Sequence, residues 1–295
     1  MNSPIIFLLL LCFGFLPITV GMQHGVVKKR EEGFSLLRRV KRNEDATRNS
    51  FSFEDKVAII RQHNDFRRYP NATNMQKMYW DTDLERVAQN WANQCTWGYN
   101  EQRTIQQTVY NSVGESLFYS TGTIRGQTKT MLAFWFSEIV DYTYSNNSCK
   151  PRRSCGHYKQ IVWHNTTAVG CGFKFCPQAK NIRTKSIYIV VCNYGPEGNL
   201  REQIPYTNGT RCSECPTGGK NCDDGLCYAH CGSKTCQNGG NILTDVCMCN
   251  CSGTGYKGDT CEISNIPNTN RSVHILQNMY LMIIITLGFV FWSHF

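Results

Sequence analysis

The sequence predicts an α+β domain followed by two small disulfide-built modules. Three stretches with apolar residues at helical spacing precede a set of strand-like runs, and 16 of the 17 cysteines fall after residue 94 in blocks of six, four and six. Blocks of even size let each module close its own bridges.

The first helix is expected over Phe53–Arg67, where Val57, Ile60 and Phe66 recur among charged neighbours. Glu54 and Asp55 lie at its start, where the helix dipole favours negative charge. A second run, Leu84 to Trp97, lines Leu84, Val87, Ala88, Trp91 and Ala92 along one face; a third, Met131 to Tyr142, does so with Leu132, Trp135, Phe136 and Ile139. Strands are expected at Gln160 to His164 and Ala168 to Phe175, which read as half-buried, and at Ser186 to Cys192, whose β-branched run suits a central strand. About 150 residues with these elements suffice for one buried core, and helices flanking an antiparallel sheet give an α+β sandwich.

Ahead of this domain, Ile5 to Phe15 form a short apolar core before Thr19-Val20-Gly21, the pattern of a secretory signal peptide over residues 1–21. The run is broken by Pro17 and is shorter than the roughly 20 residues of a membrane span. Residues 22–42 carry Lys28-Lys29-Arg30 and Arg38-Arg39-Val40-Lys41-Arg42, the latter containing an Arg-x-Lys-Arg processing site. A basic propeptide cut after Arg42 is therefore expected, with a linker over 43–52.

Of 31 Lys and Arg and 22 Asp and Glu, residues 1–42 hold 7 and 2, which leaves 24 basic against 20 acidic residues. Most of the net charge of +9 thus leaves with the processed end, and the remainder lacks the broad basic face of a nucleic-acid binder. A reducing cytosol would keep this many cysteines as thiols, whereas outside the cell they staple small domains. Zinc would favour repeated Cys-x2-Cys pairs with histidines at metal spacing, but only Cys212 and Cys215 are so spaced and no such histidine follows. The sequons at Asn71, Asn146, Asn165 and Asn208 fit export and predict surface loops that carry glycans.

Gly156-His157-Tyr158-Lys159-Gln160-Ile161-Val162-Trp163 and Ile189-Val190-Val191-Cys192-Asn193-Tyr194-Gly195-Pro196-Glu197-Gly198-Asn199-Leu200 resemble the two signatures of the CAP superfamily. That superfamily contains cysteine-rich secretory proteins, antigen 5 and pathogenesis-related 1 proteins. The second match is complete; the first departs at Lys159, where Thr is usual. His63-Asn64-x-x-Arg67, Trp80-Asp81, Trp91-Ala92-x-x-Cys95 and Gly114-Glu115 follow in the family's order, so the resemblance covers residues 53–200 and implies a three-layer α-β-α CAP sandwich. His63 belongs to the helix motif, and a buried hydrogen-bonding role is expected for it.

The resemblance implies a cleft lined by two His and two Glu, here Glu115, Glu138 and His157, with Tyr99 where the other His belongs. A neutral phenol is a poor ligand for a divalent ion that two imidazoles would share. No cofactor is expected, and His157 is the residue left to hold a weakly bound divalent metal. Hydrolysis would further need a nucleophile or activated water, yet there is no Gly-x-Ser-x-Gly, His-Glu-x-x-His or free reactive thiol to provide one. No catalytic residue is assigned.

Residues 201–230, with Cys212, Cys215, Cys222 and Cys227, resemble the hinge that follows CAP domains, in which the family pairs first with third and second with fourth; spacing alone allows three pairings. Residues 231–262 resemble an EGF-like domain with a shortened third-to-fourth cysteine interval. Tyr228-Ala229-His230 replaces the acidic residues that mark calcium-binding EGF modules, so calcium is not expected.

Residues 263–295 end in the apolar run Met279 to Trp292 without a basic stop-transfer cluster, which predicts a GPI-attachment signal with Asn268 or Asn270 at the attachment site. The rival is a membrane-spanning anchor. The expected product is extracellular, secreted or held at the outer face of the plasma membrane, and acts as a non-enzymatic recognition, adhesion or lipid-binding module. Its partners would be an extracellular protein or a lipid or sterol, with no nucleic acid. The alternative is a peptidase using Glu115, Glu138 and His157. Treating expressing cells with a phosphatidylinositol-specific phospholipase should release the protein into the medium; retention on the cells would refute the GPI signal.

Overall fold

The structure is a computed structural model that describes residues 50–124, 127–232 and 234–265. The signal peptide, the propeptide with Arg42, Asn268, Asn270 and the C-terminal apolar run lie outside the described residues. Among the described residues no helix is long and apolar enough to cross a membrane.

Helix α1 spans Phe53–Arg67 as expected. Ser52 caps it, accepting from Asp55 N while the Asp55 carboxylate accepts from Ser52 N, a closed capping box. The predicted linker therefore ends inside the fold, because Ser52 is the cap and Phe51 is buried against Phe173. Strand β1 (Tyr79–Trp80) leads into α2 (Thr82–Ala92), whose N-cap Asp81 accepts from Asp83 N and Leu84 N. The helix stops short of the predicted Trp97. Cys95 takes a left-handed φ of 49° to reach Cys176, and no helix continues through that conformation.

Strand β2 (Gly114–Ser120) precedes α3 (Thr128–Phe136), and the predicted third helix tightens to 3-10 over Ser137–Asp141. A short hairpin, β3 (Tyr142–Thr143) with β4 (Ser148–Cys149), leads to α4 (Gly156–Ile161), then β5 (Ala168–Cys176) and β6 (Ile187–Gly195). The strand expected at Gln160 to His164 is thus wrong: Gln160 and Ile161 close a helix, and Val162 caps it. Nor is the segment half-buried at Gln160, whose amide faces inward to donate to Thr166 and accept from Gly198 N.

The sheet order is β1-β5-β6-β2. β5, β6 and β2 are antiparallel, but β1 joins β5 in parallel, so the sheet is mixed. β6 is central, as its β-branched run predicted, and its side chains alternate between two cores. Val190, Cys192 and Tyr194 pack with α1 and α3, while Ile187, Ile189 and Val191 pack with Ala88 and Ala92 of α2. This is the three-layer α-β-α arrangement. It depends on Gly170 and Gly172 of β5, where a Cβ would strike the backbone of α2 at Leu84, Glu85 and Gln89.

All sixteen cysteines after residue 94 are paired, and no bridge crosses a block. The hinge pairs Cys212–Cys222 and Cys215–Cys227, the interleaved pattern the family implied. It is no free connector, however. Residues 73–77 exchange backbone hydrogen bonds with Thr207, Glu214 and Cys227, and buried Lys77 reaches Asp223 at 2.6 Å. The last block pairs Cys231–Cys247, Cys236–Cys249 and Cys251–Cys261. Its Val246 and Met248 are buried in the main core, and Asp245 pairs with Arg61 of α1 at 2.7 Å. Separate stapling has not produced separate packing.

Arg67, at the end of α1, is fully buried, and its five hydrogen bonds all go to backbone carbonyls. Nε and Nη2 donate to Gln76 O, Nη1 donates to Ile161 O and Trp163 O, and Nη2 also reaches His164 O. Lysine supplies a single point-like head in place of this fork. Arg67→Lys should lower the unfolding free energy in urea by roughly 2–4 kcal/mol, the scale of several buried acceptors left unmet; a loss under about 1 kcal/mol would contradict the role given to the fork.

Candidate functional site

Of the four expected cleft positions, Glu138 and His157 are hydrogen-bonded to each other, while Glu115 on β2 has other partners. Glu138, in the 3-10 turn after α3, faces α4. Its Oε2 accepts from His157 N at 2.8 Å and Tyr158 N at 3.1 Å, the two amides that an N-cap side chain normally satisfies, and Cys155 at the N-cap offers none. Its Oε1 accepts a hydrogen bond from His157 Nδ1 at 2.7 Å. The carboxylate is therefore the cap of α4 and the orienter of His157 at once. Trp135 completes the setting, its ring stacked on the imidazole with centroids 5.4 Å apart and planes within 7°.

Glu115, second residue of β2, is held by other groups. Asn100 N donates to its Oε1 at 2.7 Å, and the Asn193 amide, oriented to satisfy both of its ends, donates to Oε2 at 2.9 Å while accepting from Ala88 N. Burial pushes the Glu115 carboxyl up to about 7, against the hydrogen bond from Asn100 and the nearby Arg103 cation, which pull it down. Tyr99 is 54% exposed on the loop beside Asn100. The sulfurs of Cys212, Cys215 and Cys227 form the one group of three possible metal ligands whose atoms lie within 4.8 Å of one another among the described residues, and all three are locked in disulfides rather than present as thiolates. Glu115, Glu138 and His157 form no such group. Geometry thus supplies a His157–Glu138 pair that could accept one ion with help from solvent, and a separate carboxyl poised near neutrality.

His63 is buried as expected, with Nδ1 donating to Ile59 O at 2.8 Å and Nε2 facing Tyr194 OH at 3.1 Å; burial lowers it to about 4, which keeps it neutral. Among the sequons, Asn71, Asn146, Asn165 and Asn208 are all exposed. Asn100, Trp135 and Asn193 went unassigned in the sequence. Only Asn193 left a signal, as a lone amide within the apolar run of β6.

Residues 60–194 match the model described as the cysteine-rich secretory protein family, CAP. Cysteine-rich secretory protein 3 of Homo sapiens is 34% identical over 217 residues, which cover 67% of this chain and 83% of that protein. The chain belongs to the cysteine-rich secretory protein family. Peptidase inhibitor 16 of Bos taurus is 36% identical over 199 residues, 66% of this chain, but the match spans only 41% of the inhibitor's length. The solved structure of Na-ASP-1, at 22% identity and a TM-score of 0.50 over 62% of this chain and 49% of that one, shares the fold.

Within this cysteine-rich secretory domain Glu115 and His63 give opposite pH signatures. The raised Glu115 favours the folded state fully below its unfolded pKa near 4.5, and that contribution is lost as pH rises through about 7. The lowered His63 favours the fold above 6.5, and its contribution is lost as pH falls towards about 4. Glu115→Gln removes the first and keeps the second. Between pH 4.5 and 7 the variant should therefore gain on the wild type by roughly 1–3 kcal/mol in urea titrations; a difference that stays flat with pH would show that Glu115 does not titrate in that window.

Proposed function

We propose that this family member is a non-enzymatic extracellular recognition protein, whose CAP surface and disulfide modules dock a protein or lipid partner. The observation that carries this reading is Glu138: all three of its hydrogen bonds serve to cap α4 and orient His157. A carboxylate bound in this way has little freedom to activate water, and every cysteine of the described chain that could act as a nucleophile is oxidised. Eight disulfides suit an oxidising compartment. The pairing of the last block, first with third, second with fourth and fifth with sixth, supports the EGF-like reading of residues 231–262. The name of the peptidase inhibitor 16 relative makes a peptidase one protein partner to screen.

One observation favours the peptidase reading: the Glu115 carboxyl, raised to about 7, is poised for acid-base work at neutral pH. A single pair of measurements separates the two. The secreted wild type should cleave no member of a peptide library, and His157→Ala should keep its melting temperature within a few degrees. Turnover in the wild type that His157→Ala abolishes would overturn the recognition reading in favour of the peptidase. Binding to a panel of lipids, sterols and extracellular proteins should detect at least one ligand; failure across the panel would count against recognition.

A further inference from the structure

The loop that delivers α4 carries an unusual concentration of fixed positive charge. Cys149 and Cys155 are bridged across six positions, and the closed segment reads Lys-Pro-Arg-Arg-Ser, all of it exposed. Its conformation is set three ways: by the bridge, by Pro151, and by Arg152 in the left-handed region at φ 62°, which a long side chain adopts only where its surroundings impose it. Lys150 N donates to Asp141 O and Arg153 N to Lys150 O, tying the turn to the end of the 3-10 segment.

Neutralisation is incomplete. Asp141 is the carboxylate that meets both Lys150, at 3.3 Å, and Arg153, at 3.6 Å, and these side chains remain 59% and 67% exposed. Arg152 makes no hydrogen bond or ion pair to any described residue. The segment after β6 then runs alongside, since Asn199 donates to Gly156 O and Asn147 donates to Gln203 O, and between those two contacts it carries Arg201, 93% exposed. Arg201 meets only the equally exposed Glu202, a pairing of little strength in water. The loop and the segment beside it thus carry four cations against two carboxylates.

We infer that this patch, Lys150, Arg152, Arg153 and Arg201, binds a sulfated polysaccharide of the extracellular space. Within the closed loop the one non-polar residue is Pro151, and the exposed apolar side chains that border it, Val140 and Leu200, are isolated aliphatic residues of the kinds under-represented among protein hot spots. Cations on a preorganised turn suit a polymer of repeated anionic groups, to which affinity comes from charge neutralisation and counterion release. Guanidinium forks match sulfate oxygens two at a time. The inference does not involve the cleft and stands apart from the recognition reading above.

Immobilised heparin tests it. The secreted full chain should bind, with sulfated heparin competing and chemically desulfated heparin failing to compete. Lys150→Ala, Arg152→Ala and Arg153→Ala combined should weaken binding at least tenfold and lower the eluting salt. A matched control, Lys180→Ala, Arg183→Ala and Lys185→Ala in the exposed connection at the far end of β6, should stay within about twofold, since equal net charge is removed there. If the triple variant is misfolded, Arg152→Glu alone carries the test, because that side chain has no described partner to lose, and it should weaken binding at least threefold. The inference is overturned if the wild type fails to bind heparin, if the control loses as much as the loop variant, or if phosphatidylserine vesicles retain the protein as well as heparin does.

Discussion

A guanidinium buried without a carboxylate is the constraint on which the rest of this fold depends. Arg67 lies at the last turn of α1, and the carbonyls that hold it come from two distant segments, Gln76 before β1 and Ile161 to His164 around the end of α4. Burying a charge is costly unless its donors are met, so these backbone segments must converge on one point. That convergence fixes where α4 ends. Glu138 fixes where α4 begins, and His157, on the first turn between them, inherits its place from both.

The second organising feature is the segment that passes from α1 to β1. Residues 73–77 lend backbone groups to the hinge, and Gln76 lends its carbonyl to Arg67, so a single strand-like stretch ties hinge and sandwich together. The ion pair of buried Lys77 with half-exposed Asp223, with Lys77 also 5.3 Å from the centre of the Tyr228 ring, closes the same seam. Val246 and Met248 then bring the last disulfide block onto the main core. Short modules that could not bury a core alone borrow one from the larger domain, and their bridges limit the entropy lost in doing so.

Charge around the cleft is distributed unevenly. Glu138 is saturated by donors from a helix start, whereas Glu115 faces burial with fewer compensating contacts and is raised for that reason. Tyr99, next to Asn100, presents an exposed phenol. Hydrogen bonds hold both carboxylates in place, and His157 is oriented through Nδ1.

Local patterns determined much of this protein. The span of α1, the central place of β6 and the even cysteine blocks were legible because helical period, β-branching and residue counts are properties of neighbours in sequence. The alternation of β6 between two cores, the parallel pairing of β1, the helix at Gln160 and the docking of the last block were not, because each depends on which distant surface a side chain meets. So it is with the site. That Glu138 caps α4 and orients His157 while Glu115 meets Asn100 and Asn193 is a matter of ångströms between separate elements, and only the tertiary structure decided it.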